Sequence, residues 1–128
     1  APSDYWAASY VQTADIDLAD DHANIVPIGD TNSAANQFEG DYDGNYHTIS
    51  NWGFTGDERY AGLFGYVAYA SLKSIRLSGV WTLSNTASYA WSGFLAGYAY
   101  GTTVSHIDGD FSAGTLLGGS NSCGGFFG

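Results

Sequence analysis

The chain has 128 residues, 45% apolar and 16% aromatic, which fits one domain with a sizeable core and excludes a disordered segment. Asp and Glu number 13 against 3 Lys and Arg, and a net charge of −10 argues against nucleic acid or an anionic membrane surface as partner. There are 18 glycines, no sustained 3.6-residue apolar period and no apolar run near the ~20 residues of a membrane span; strands and tight turns are expected, membrane insertion is not.

In chain order, residues 1–20 are expected to form an N-terminal cap and first strand, with "APSDYWAASY" folded over one end. That start also suits a mature end left after signal-peptide cleavage. Asp15, Asp17, Asp20 and Asp21 gather four carboxylates, a group able to take calcium. In "DYDGN", Asp41 and Asp43 alternate as at the start of a calcium loop. The bidentate Glu is missing, and the stretch reads equally as a tight turn at Gly44. Calcium is the one cofactor these acids admit, and no other is expected; His22, His47 and His106 stand alone. Residues 1–58 carry −11, residues 59–107 carry +3 and residues 108–128 carry −2. The acidic front is a solvated face, a cation-binding surface, or one pole of a molecule that associates end to end.

Between residues 38 and 128 the chain repeats itself. "AGLFGYV" and "SGFLAGYAY" place Gly65-Tyr66 and Gly97-Tyr98 32 residues apart, and "CGGFFG" opens a further copy in which Gly128 follows Gly97 by 31. Such a period means stacked units, and period-two alternation within each makes them strands. The expected fold is therefore all-β, a parallel β-helix or β-solenoid with coils of about 23–32 residues, an N-terminal capping segment and an incomplete last coil. Laying "HTISNWGF" over "ASLKSIRL" over "TTVSHIDG" gives three columns. Ile49, Leu72 and Val104 form one, Trp52, Ile75 and Ile107 a second, and Asn51, Ser74 and His106 a third. The first two should be core. Arg76 and Asp108, 32 apart, should face outward as a cross-coil pair. Tyr66 and Tyr98 should stack.

Chemistry on this frame has one candidate. Asp108 and Asp110 are two apart on a strand, about 6.5–7 Å along one face, which suits the acid and base of glycan cleavage. No cationic residue flanks them in sequence, and the alternative is a solvated face. Exposed members among Trp6, Tyr69, Trp81, Tyr89, Trp91 and Tyr100 could stack on sugars or anchor a protein, although most would fill the core.

Five blocks in order, "TADIDL" (13–18), "VPIG" (26–29), "FEGDYDGNYHTISNW" (38–52), "AGLFGYV" (61–67) and "SLKSIRL" (71–77), make the chain resemble the GLUG-motif β-solenoids of bacterial secreted and cell-surface proteins. The match departs in the second repeat, where "GFLAGY" replaces the usual G-L-x-G-Y. The resemblance implies a right-handed solenoid of adhesin-like architecture, extracellular or on the cell surface, and brings no catalytic residues. A non-enzymatic structural module of a surface layer, fibre or adhesin is thus the leading expectation. A carbohydrate-binding module is the alternative, and a glycan-cleaving β-helix enzyme stands third. The expected partner is the protein itself, head to tail, with glycans as the alternative. Cys123, Phe126 and Phe127 would form that interface at an open strand edge. Cys123 is otherwise a small buried residue.

Overall fold

Short extended segments, within longer strands as well as between strands, are punctuated by residues that accept a left-handed backbone, and the chain winds instead of folding back in hairpins. A computed structural model describes residues 6–20, 25–29, 37–117 and 122–127, the side chains of Ser122 and Cys123 excepted. Asp21, Gly128 and the side chain of Cys123 lie outside these residues. The strands are β1 (Ser9–Val11), β2 (Ile16–Asp17), β3 (Asp41–Asp43), β4 (Thr48–Ser50), β5 (Gly53–Gly56), β6 (Tyr60–Ala61), β7 (Phe64–Ala68), β8 (Ser71–Asn85), β9 (Trp91–Ser92), β10 (Ala96–Tyr100), β11 (Thr103–Leu117) and β12 (Ser122–Cys123).

Every strand pairing is parallel, and the result is a β-solenoid of about three turns. Ser9 lies opposite Asp41, Asp41 opposite Ser71, and Ser71 opposite Thr103. The long β8 carries β3, β4 and β5 on one edge and β11 on the other. A second face pairs β7 with β10, and a third stacks β6, β9 and β12. Ser9–Val11 is the first layer of the sheet among the described residues, the first strand expected within residues 1–20, so the stack starts ahead of residue 38; residues 1–5 of the expected cap lie outside the described residues.

Two of the expected column pairings hold. Val104 lies opposite Leu72 and Ile107 opposite Ile75. The other members are misplaced, because Ile49 lies opposite Leu77 and the ring of Trp52 stacks on Trp81 at 5.2 Å. The cause is that each coil turns several corners with the same local signature. The sequence repeat sets Asn51 (φ 60°) on Ser74 (φ 55°), but Asn51 shares its corner with Gly79 (φ 76°). Ser74 shares its own with His106 (φ 54°). One corner of slip is five residues, which is why a 23-residue coil looked possible. Offsets between paired strands run from 28 residues (Thr48 to Arg76) to 33 (Ile16 to Ile49).

Gly79 shows what fixes the true register. Its left-handed backbone suits glycine, and a Cβ there would run into Asn51 Oδ1. That oxygen accepts the Val80 amide at 2.9 Å, while Asn51 Nδ2 donates to Asp17 at 3.0 Å. One amide side chain therefore joins three layers.

The core runs along the axis through Phe38, Phe64, Val67, Leu72, Ile75, Leu77, Trp52, Trp81, Leu83 and Leu95, all essentially inaccessible. Burying one such side chain contributes about 1.5–3 kcal/mol. Val104, expected in the core, is 36% exposed, and Ile107 is only half-buried. Their strand β11 covers β8 but is paired with no further strand among the described residues.

Candidate functional site

Parallel stacking in register puts the same outward position of successive coils about 4.8 Å apart, so aromatic residues one coil apart meet face to face. Tyr66 and Tyr98 do so at 4.9 Å and 18°, and Tyr60 and Trp91 at 5.4 Å and 28°. Tyr60 also packs edge-on against Tyr66, so the two stacks form one patch. The Arg59 guanidinium sits 5.5 Å from the Tyr60 ring centre and 5.3 Å from that of Trp91. Partial burial, and then the neighbouring Tyr98 and Tyr60 hydroxyls, hold the Tyr66 hydroxyl above its ordinary pKa.

Beside the patch a groove of about 410 Å³ opens between two loops, lined by Asp57, Arg59, Ala87, Ser88 and Tyr89. Its walls are tied from beneath by Asn85, which is only 3% exposed. Asn85 Oδ1 accepts the amides of Glu58 (3.1 Å) and Ala87 (3.3 Å), and its Nδ2 donates to the Glu58 carbonyl (2.7 Å) and to Ser92 Oγ (3.1 Å). The amides of Thr86 and Trp91 bond the carbonyls of Gly56 and Arg59. Tyr89 stands on the rim, 75% exposed and left-handed at φ 56°. Asp57, Arg59, Tyr60 and Asn85 were not singled out from sequence. The spacing of Tyr60-Ala61-Gly62 and Trp91-Ser92-Gly93, 31 residues apart, was the available signal.

A second groove, of about 420 Å³, is lined by Thr48, Arg76, Ser78, Asp108, Gly109 and Asp110. Asp108 lies opposite Arg76 as the repeat required, so the carboxylates do have a cation across the coil although none flanks them in sequence. Arg76 and Asp108 form no ion pair among the described residues. The guanidinium lies over the Tyr46 ring at 5.6 Å, and Tyr46 meets His106 edge-on at 6.4 Å. Register set the neighbourhood, and the ring took the charge.

Among the described residues, several acids of the front bond to their own chain. Asp15 Oδ1 accepts the Thr48 amide at 2.9 Å and lies 3.1 Å from His47 Nδ1. Asp17 Oδ1 accepts from Asn51 Nδ2 and from the Ala19 amide, each at 3.0 Å. Asp43 accepts the Asn45 amide at 2.8 Å and lies 3.8 Å from Lys73 Nζ; Asp41 accepts from Ser9 Oγ at 3.4 Å. Asp20 is exposed. Among the described residues no three His, Cys, Asp or Glu side chains are grouped to hold a metal ion.

These bonds predict an acid limb in stability. The Asp15 carboxyl is held below its ordinary pKa by the Thr48 amide and then His47, and that of Asp17 by Asn51 and then the Ala19 amide. A depressed folded value stabilises above the unfolded pKa of about 3.9, and that contribution is lost as pH falls through the folded values. The melting temperature should therefore decline below about pH 4, and Asp15→Asn with Asp17→Asn should flatten the decline. An unaltered pH profile in the double variant would remove these two groups from the account.

At the N-terminal end an apolar recess of about 150 Å³ lies among Trp6, Tyr10, Ile28, Phe38, Tyr42 and Phe64. At the other, Phe126 and Phe127 are half-buried against the core, and the Phe126 carbonyl accepts the amides of Leu95 and Ala96 at 2.9 Å. They continue the winding, with Phe127 bridging Ala96.

Among the described residues, fold and surface define a β-solenoid with aromatic stacks and shallow polar grooves. No family model, curated protein or solved structure matches the chain. The likeness to GLUG solenoids rests on the five sequence blocks alone.

Proposed function

We propose that this chain is a non-enzymatic structural module of an extracellular surface layer, fibre or adhesin, and that it associates with copies of itself by end-to-end stacking of coils. One observation supports the reading. β11, fifteen residues long, is paired with β8 along one edge and with no strand along the other among the described residues. That edge is apolar in places, with Val104 36% and Leu117 60% exposed. An unpaired strand of this length is a template for a further parallel strand, which the first layer of a second copy would supply. Contacts of this kind do not close on themselves and generate filaments. The extracellular setting comes from the GLUG resemblance.

Sedimentation velocity across a hundredfold concentration range tests the proposal. The average mass should rise with concentration, and Val104→Lys with Leu117→Lys should hold the chain monomeric by placing like charges on the edge. A chain that stays monomeric throughout would overturn it, and so would association that ignores the two lysines.

A further inference from the structure

We propose that the groove between Asp57–Arg59 and Ala87–Tyr89 is a binding site for a neutral glycan chain. The groove lies on the flank of the solenoid, so this inference does not depend on end-to-end stacking.

The site is built before any ligand arrives. Asn85 is buried and uses both ends of its amide to hold the two walls, through Glu58 on one side and Ala87 on the other. Arg59 is exposed, and its guanidinium lies against the Tyr60 and Trp91 rings, which favours one orientation of the fork. A volume of about 410 Å³ falls in the range of small-ligand sites.

Its chemistry selects the ligand class. The shallow space is lined by one carboxylate (Asp57), one guanidinium (Arg59) and two hydroxyls (Ser88 and Tyr89), the second on an exposed aromatic ring. The opposite charges offset each other, which favours neither an anion nor a cation. Planar groups with paired donors or acceptors suit adjacent hydroxyls, and an aromatic face suits the C–H face of a pyranose. A polyhydroxylated ring with one apolar face satisfies both demands; a nucleotide or an acidic peptide does not.

Tyr89 marks the lip of the groove. Its backbone is left-handed at φ 56°, as those of Tyr46 and Tyr69 are, and its ring is left three-quarters exposed. Tyr69 lies against Tyr100, and Tyr46 beneath Arg76 and beside His106. A ring exposed at the rim is placed to stack on a ligand seated in the groove.

The test is a glycan array carrying cello-, xylo-, chito- and manno-oligosaccharides beside uronic-acid and sialylated chains, followed by titration calorimetry with the strongest neutral hit. Neutral chains should bind, and Tyr89→Gly should weaken binding at least tenfold while leaving the melting temperature equal or raised. Arg59→Ala should weaken it comparably, and Tyr69→Ala should bind like the parent. No neutral hit on the array overturns the proposal, as does recognition confined to acidic chains. Unchanged binding in Tyr89→Gly overturns it too, and should that variant fail to fold, unchanged binding in Arg59→Ala overturns it on its own.

Discussion

Ile75→Asp is expected to leave the domain unfolded at room temperature. Ile75 is wholly buried on β8, with Ile107 opposite it on β11. The substitution removes about 1.5–3 kcal/mol of apolar burial and puts a carboxylate where no cation is paired with it. The sum lies beyond the 4–5 kcal/mol that marks exceptional single changes, against a total stability of about 5–15 kcal/mol for ordinary domains. Ile75→Val, which keeps the shape of the site, should cost only about 0.5–1.5 kcal/mol. Far-UV circular dichroism during thermal melting separates the two. If Ile75→Asp melts within a degree or two of the parent, the core described for β8 is wrong.

Trp81→Ala should be nearly as severe, at about 3–5 kcal/mol. The indole stacks on Trp52 at 5.2 Å from one layer and meets Phe111 at 5.9 Å from another, with Phe94 at 5.8 Å beside it. Its Nε1 donates to the Ser78 carbonyl at 2.8 Å, so the ring is also fixed to its own strand. Removing it opens a cavity between layers that parallel strands, locked in register, cannot collapse to fill. The urea midpoint should fall with the slope unchanged. A loss under about 1 kcal/mol would mean that the aromatic spine adds little to cohesion between layers.

The solenoid was legible because Gly65-Tyr66 and Gly97-Tyr98 sit one coil apart, and the structure stacks those tyrosines as their spacing required. Register between β4 and β8 was not legible. Ile49 has an apolar partner at either of two offsets, and Leu77 is selected over Leu72 by contacts no repeat announces: the Val80 amide on Asn51, the Asn51 amide on the Ser78 carbonyl and the stacking of Trp52 on Trp81. Burial at the end of the stack was not legible either, since Val104 has the residue type of a core position but too few layers around it. The groove at Tyr89 was hidden for another reason. Its walls come from loops before β6 and β9, and the tie between them is one buried amide, Asn85, which no repeat announces.

β11 follows β8 with an offset of 32 from Thr103 to Phe111, then 33 from Ala113 onward, the shift falling at the corner where β8 has Gly79. A coil has thus been lengthened by one residue without turning any strand inside out. An added residue within a strand would have exchanged its inward and outward faces. Corners are therefore where homologous coils of this architecture can drift in length, by single insertions and deletions, while strand segments stay fixed in count. An alignment that allows gaps only at left-handed positions should recover the coils of such a protein where one with uniform gap costs slips, as it does between Asn51 and Ser74.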